Sequence, residues 1–216
     1  MKQFLLVTHT EASHHVEQKV GGWYDSELTL KGLRDAQAIA DRIEQFNLAE
    51  QNEDQTQGGI GLWSSDLKRA SQTAQIIGEQ LSLDVQFDQR LREMSFGDAE
   101  GQPQIWLDER MIPQGDDRLN HTIIPSSESR LALAKRTFAA FAEIENSDQP
   151  AIICTHGFAA TFLIAYWIGM AIDQTGYVDF KIASGSITHL VEDDYFGNRS
   201  VKSMSDTLHL TRELFV

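Results

Sequence analysis

Gln3-Phe4-Leu5-Leu6-Val7-Thr8-His9 and Ala151-Ile152-Ile153-Cys154-Thr155-His156 decide the reading of this chain. Each is a short, almost unbroken apolar run that closes on threonine and then histidine. Without polar alternation, such a run reads as a strand buried on both faces, as in a parallel sheet covered by helices. The rest of the pattern alternates around these two strands. Thr29 can cap a helix running from Leu30 to about Phe46, with Leu33, Ala36, Ala40 and Ile43 on one stripe. Ile60–Trp63 reads as a strand, and Ser64, Ser65 and Asp66 offer caps for a helix carrying Leu67, Ala70, Ala74, Ile77 and Leu81. Asp84–Phe87 reads as a further strand. Ser126 or Ser127 caps a helix with Leu131, Ala134, Phe138 and Phe141, and Phe158–Met170 is another helix. Ser186–Glu192 and Arg199–Met204 form a hairpin around Phe196-Gly197-Asn198. Polar Ala49–Gly59 reads as a loop. Between Leu91 and Pro125 the periodicity dissolves, which marks a functional or disordered insert. The expectation is one α/β domain over residues 1–216: a mostly parallel central sheet, helices on both faces, a C-terminal hairpin, and an irregular lid or insert over 91–127.

Acidic residues outnumber basic ones by 32 to 18, a formal charge of −14. Nucleic acid and anionic membrane surfaces are therefore not expected partners, because binding them rests on Lys and Arg meeting phosphates. The single cysteine, Cys154, has no internal partner, so a reducing compartment is the default and Cys154 itself reads as a small core residue. The four apolar residues after Met1-Lys2-Gln3 are too few for a signal peptide, and the 13 residues of Phe158–Met170 fall short of the about 20 that span a bilayer. A cytoplasmic protein is expected.

Ligands of parallel sheets bind beyond the carboxyl ends of the strands. His9 and His156 both stand there, and Arg69, in the first turn of the helix after Ile60–Trp63, reaches the same crevice. Helix N-termini nearby add N–H groups for an anion.

Leu6-Val7-Thr8-His9-Thr10-Glu11 resembles the Arg-His-Gly-Glu signature of the histidine phosphatase superfamily, the phosphoglycerate mutase-like proteins. Further stretches match in the family's order. They are Gly22-Trp23-Tyr24-Asp25 with Leu28-Thr29-x-x-Gly32, Ser64-Ser65-Asp66-Leu67-Lys68-Arg69-Ala70 with Thr73-Ala74, and Leu91-Arg92-Glu93 with Gly97 and Glu100-Gly101. Glu128-Ser129, Thr155-His156-Gly157 and Ser184-Gly185-Ser186 complete the set. The resemblance implies that His9 takes a phosphoryl group covalently, that Arg69 and His156 donate to its oxygens, and that Glu93 protonates the leaving oxygen and then serves the hydrolytic water as base. No cofactor or metal enters this scheme. The implied function is hydrolysis of a phosphomonoester of a small metabolite. Relatives that are mutases carry a long C-terminal tail, so an end at Val216, soon after the last strand, favours hydrolysis over phosphoryl return.

The sequence departs from the family where it matters most. Thr8 stands in place of the signature arginine, a neutral single donor for a charged fork, and loss of one such donor typically costs on the order of 10²–10³ in rate. Thr10 replaces glycine, and His14-His15 replace a common Trp-Asn whose asparagine contacts phosphate in relatives, so His15 is expected to donate in its place. His15, Lys19 or an arginine of Arg90–Arg92 is expected to restore part of the missing charge.

Plainer readings stand beside these. A histidine after a strand is usually structural, Arg69 can pair with Asp66 on an exposed helix, and Glu93 can be one solvated glutamate of an irregular loop. Glu11 can brace the first loop, and His14-His15 can lie at the surface or the pocket rim. The spacing of His9, Glu11, His14 and His15 fits no strong zinc pattern. Phe138, Phe141, Phe162 and Trp167 read as core, and Trp106 as a lid contact or a loop anchor. Three alternatives stay open: a weakened or inactive module that only binds a phosphorylated ligand or partner, mutase-type phosphoryl transfer, and a metal-dependent hydrolase. The substrate and the oligomeric state are not legible, although the hairpin near Tyr195 offers an edge for pairing.

Overall fold

Odd and even positions of the two apolar strands face different cores, and that parity sets the layers. The computed structural model describes residues 2–46, 48, 59–147 and 149–210. Strand β1 (Gln3–Thr8) is buried at all 6 positions. Phe4 and Leu6 pack with Phe141, Ile144, Leu163 and Trp167, whereas Leu5 and Val7 pack with Ile39, Ile43, Ala74 and Ile77. The elements that supply these partners follow in order: α1 (Ser13–Val16), α2 (Leu30–Glu44), β2 (Gly61–Ser64), α3 (Lys68–Leu81), β3 (Val85–Phe87), α4 (Gln104–Asp108), α5 (Arg130–Glu145), β4 (Ala151–Thr155), α6 (Gly157–Trp167), β5 (Ile187–Glu192) and β6 (Arg199–Asp206). Helices α5 and α6 thus cover one face of the sheet and α2 and α3 the other.

The strand order is β3-β2-β4-β1-β5-β6. Strands β3, β2, β4 and β1 run parallel, and β5 is antiparallel to both β1 and β6. The mostly parallel sheet, the helices on both faces and the C-terminal hairpin are as the sequence predicts. The hairpin turn is held by the Asp193 carboxylate, which accepts from the backbone N–H groups of Tyr195, Phe196 and Asn198 at 3.0, 2.6 and 2.9 Å. Among the described residues, no helix is long and apolar enough to cross a membrane.

Several local expectations need correction. Thr29 caps α2 as expected, but Leu33 is 38% exposed while Ile39 is buried. At 100° per residue Leu33 points roughly 70° away from the centre of the stripe set by Ala36, Ile39, Ala40 and Ile43. Gly32 faces that side instead, and a Cβ there would meet the Glu11 carbonyl oxygen at 2.1 Å, so only glycine fits. Helix α3 begins after Leu67, which makes no side-chain cap, so Ser64, Ser65 and Asp66 do not cap it. The hydroxyl of Ser65 bonds His156, and Asp66 pairs with Arg92. Ser129 caps α5, accepting from the Ala132 N–H at 3.2 Å, because the Ser127 hydroxyl is turned back on the Ile124 backbone. The stretch over 91–127 is not wholly irregular. It contains α4, whose Leu107 joins Val20, Ala99 and Ile124 in a small satellite core with Trp106 packed against it. Trp106 is a loop anchor. Residues 49–58, where the sequence predicts a polar loop, lie outside the described residues.

Candidate active site

Thr8 and Thr155 are register partners on neighbouring parallel strands, so the residues after them emerge side by side. The rings of His9 and His156 lie 5.0 Å apart at 63°. The Nδ1 of His9 is 2.8 Å from the Thr10 carbonyl oxygen, which can only accept, so Nδ1 carries the proton and Nε2 keeps its lone pair. That lone pair accepts from the Nε–H of Arg69 at 3.1 Å. Burial first, then the Arg69 charge, hold His9 well below the ordinary histidine range, against the Thr10 hydrogen bond. His9 is a neutral imidazole of fixed tautomer. His156 is fully buried, with Nε2 2.9 Å from the Ser65 hydroxyl and Nδ1 without a partner among the described residues. Burial and Arg69 lower it as well.

Arg69 is 1% exposed, which excludes a surface ion pair with Asp66. Its Nη1 donates to the Tyr24 carbonyl at 2.8 Å and its Nη2 to the Gly22 carbonyl at 2.6 Å. Gly22 has φ +56°, and a Cβ there would meet Glu100 Oε1 and Phe96 at 2.9 Å. The left-handed turn that aims its carbonyl at Arg69 therefore needs glycine. Burial lowers the guanidinium to about 10, still a cation at neutral pH.

Glu93 sits over the start of α6. Its Oε2 accepts from the Phe158 N–H at 3.0 Å, and its Oε1 from the Met94 and Ala159 N–H groups at 2.8 and 3.1 Å. Burial raises its carboxyl above the usual range, outweighing these three donors and Arg69. The loop that carries it is clamped from behind. Arg136 donates to the carbonyls of Arg90, Arg92 and Glu93 at 2.8, 2.6 and 2.7 Å and pairs with Glu128 at 2.7 Å.

Thr8, His9, His15, Arg69 and Glu93 line one pocket of about 270 Å³, together with His14, Gly22 and Ser184. His156 stands against His9 rather than on the pocket wall. His15 stacks on His9, with centroids 5.6 Å apart at 14°. Its Nδ1 accepts from the Ala12 N–H at 3.1 Å, which leaves Nε2–H as a donor. Glu11 accepts from the Thr29 hydroxyl at 2.6 Å and so braces the first loop. The other sources of compensating charge are not in the pocket. Arg90 is engaged by Asp88 and Glu143, Arg92 by Asp66, and Lys19 by Glu17, each at a surface pair that holds the cation away.

His14 is buried and lines the pocket, which fits the pocket-rim reading and not the surface one; its Nδ1 lies 2.7 Å from the Ser26 hydroxyl. Sequence reasoning missed three sets of supporting partners. Ser65 holds His156, the Gly22 and Tyr24 carbonyls hold Arg69, and Arg136 with Glu128 holds the Glu93 loop. Gly22, Tyr24, Ser65 and Glu128 stand in the motifs quoted above, but those motifs do not reveal their partners, which lie 8 to 91 positions away.

The family model described as Histidine phosphatase superfamily (branch 1) matches residues 4–206. A probable phosphoglycerate mutase GpmB of Yersinia pestis is 30% identical, over 97% of this chain and 95% of that protein. Its counterpart in Citrobacter koseri is 32% identical, over 79% of this chain and 76% of that protein. Among solved structures, Bacillus stearothermophilus YhfR superposes with a TM-score of 0.76 at 24% identity, covering 98% of this chain and 100% of that one. The alpha-ribazole phosphatase of Shigella flexneri superposes at 0.75 and 21%, covering 95% and 96%. At these identities the two structures speak for the fold.

Proposed function

This chain belongs to the histidine phosphatase superfamily, and we propose that it hydrolyses a phosphomonoester of a small metabolite through a phosphohistidine at His9. One observation carries the reading: a neutral His9 whose Nε2 lone pair faces Arg69 in a pocket that also holds Glu93. A phosphoryl group entering the pocket takes over the Arg69 Nε–H, and Nε2 attacks phosphorus. The N–P bond forms as the ester P–O bond breaks, with charge on the equatorial oxygens met by Arg69 and by the His15 Nε2–H, while His156 packs against the His9 ring from outside the pocket. Glu93, its carboxyl raised by burial, gives its proton to the leaving oxygen. It then takes a proton from water, which cleaves the N–P bond and returns neutral His9 and inorganic phosphate. Every step uses a side chain of this pocket, and none needs a metal.

The test is turnover of p-nitrophenyl phosphate with and without chelator. Turnover that survives chelator and disappears in His9→Ala supports the proposal, whereas loss on chelation overturns it in favour of a metal-dependent hydrolase. A second reading is favoured by Thr8, a neutral hydroxyl at the pocket wall where a guanidinium would pay for the transferring charge. In that reading the pocket holds a phosphorylated ligand without turning it over, and phosphate binding without any turnover is its signature.

A further inference from the structure

A larger cavity opens on the other side of the residues that fix Glu93. It measures about 480 Å³, within the range of small-molecule sites, and its walls are mainly apolar: Met94, Met111, Ile112, Ile123 and Phe158, with Arg130 among them. Two of these residues tie it to the site already described. The N–H of Met94 and the N–H of Phe158 both donate to the Glu93 carboxylate, and the side chains of the same two residues line the cavity. The two pockets share no lining residue but adjoin at two chain neighbours: Glu93 and Gly157 line the catalytic pocket, and Met94 and Phe158 line the cavity.

Arg130 brings a cation to the cavity, beside the polar side chains of Asp108, Gln114 and His121. Its guanidinium stacks 4.8 Å from the Phe158 ring and 5.6 Å from the Phe162 ring. Its Nη2 donates to the carbonyls of Val178 and Thr175. Its Nε is buried without a hydrogen-bond partner and sealed from the cavity. Its Nη1 has no hydrogen-bond partner among the described residues and, unlike Nε, is not sealed off, so a ligand acceptor placed against it gains a charge-assisted bond.

We infer that this cavity receives the alcohol half of the substrate, a ring-sized apolar group bearing a hydrogen-bond acceptor for the Arg130 guanidinium. The inference rests on the phosphomonoester reading and names its substrate class: phosphate esters of aryl-alkyl or similarly bulky apolar alcohols, rather than of small polyols. Apolar pockets discriminate by about 10–200-fold for such increments.

The experiment compares 2-phenylethyl phosphate with ethyl phosphate, whose leaving alcohols are of similar acidity, so that the ratio of kcat/KM reports the cavity and not the chemistry. The expected ratio is about 30 or more. Met111 and Ile112 are 50% and 42% exposed, so lysine at either is tolerated by the fold. Met111→Lys and Ile112→Lys are expected to bring the ratio below about 5. A carbamoyl group on the ring is expected to add about tenfold in the parent protein and nothing in Arg130→Met, read as a ratio of esters within each variant. A ratio near one in the parent protein, or one that the lysine variants do not move, overturns the inference. Binding of the two esters to His9→Ala by calorimetry keeps the two readings apart. If neither ester is turned over by the parent protein, the hydrolase reading falls, yet tighter binding of the phenylethyl ester that Met111→Lys abolishes upholds the cavity. Equal affinities sink it.

Discussion

The strand-end floor and the wall built from the 108–130 stretch are neighbours made of opposite materials. On the floor, Thr8, His9, Arg69 and His156 are buried, and most of their polar atoms have named partners at 2.6–3.1 Å. On the wall, Met111 and Ile112 are exposed, Phe158 is half-buried, and the charge that stands out is the Arg130 guanidinium. Low-dielectric surroundings amplify every charge and hydrogen bond of the floor, so in the proposed reaction its geometry sets the rate. The wall offers area and shape, so under the same proposal it selects the ester. The lesson is a division of labour: changes in the floor act on all substrates alike, and changes in the wall act on their ratios.

The strongest way to break this contrast is at the floor's centre. His9→Ala is expected to lower kcat by at least about 10⁴-fold for every ester, since it removes the atom that forms the covalent bond. A residual rate that differs between substrates would show the two regions to be less separate than stated. Glu93→Gln is expected to cost about 10²–10³-fold with alkyl phosphates and far less with p-nitrophenyl phosphate, whose leaving group departs without a proton. Equal losses with both esters would remove Glu93 from the role of acid.

Acid is the next lever. His9 and His156 are held below their ordinary value in the fold, so the unfolded chain binds protons that the native one refuses, and stability falls as pH drops below about 6.5. Two such groups cost about 2–3 kcal/mol by pH 5.5, or about 5–10 °C in Tm for a chain of this size. Glu93 has the opposite sign. Its raised carboxyl takes up a proton earlier in the native state, which returns some stability as pH approaches the carboxylate range. Calorimetric scans from pH 7 to 5 follow this slope, and Met111→Lys on the wall is expected to leave it in place. A flat Tm across that interval would mean that the buried rings are charged in the fold.

The smallest expected effect sharpens the contrast at its one weak point. Thr8→Arg restores a forked cation to the floor and is expected to raise kcat about tenfold, less than a full donor's worth because His15 already supplies an N–H. The gain should be uniform across esters in steady-state kinetics. No gain would indicate that the pocket is electrostatically complete as it stands.

The same division explains what the sequence made legible. The two buried strands were readable because their apolar runs and terminal histidines are local patterns, and β1 and β4 fall on the expected residues. Arg69 and Glu93 were readable from spaced motifs, and both line the pocket. What failed was pairing at a distance. Nothing near Arg136 announces that it grips three carbonyls of a loop more than 40 positions away. The side chains at Ser64–Asp66 and Ser126–Ser127 do not cap helices because other partners hold them: distant ones for Ser65, Asp66 and Ser126, and neighbouring backbone carbonyls for Ser64 and Ser127. The cavity was invisible because it has no periodicity: its residues come from separate stretches, and only packing assembles them.

The alternating cores of β1 turn strand length into a ruler. A one-residue deletion between Gln3 and Thr8 would turn the strand residues on one side of it to the opposite core and set His9 one residue out of register with His156 relative to the start of the strand. Length changes in the loops leave the residue count of the strand untouched, whereas a change within the strand resets the position of His9 against the sheet.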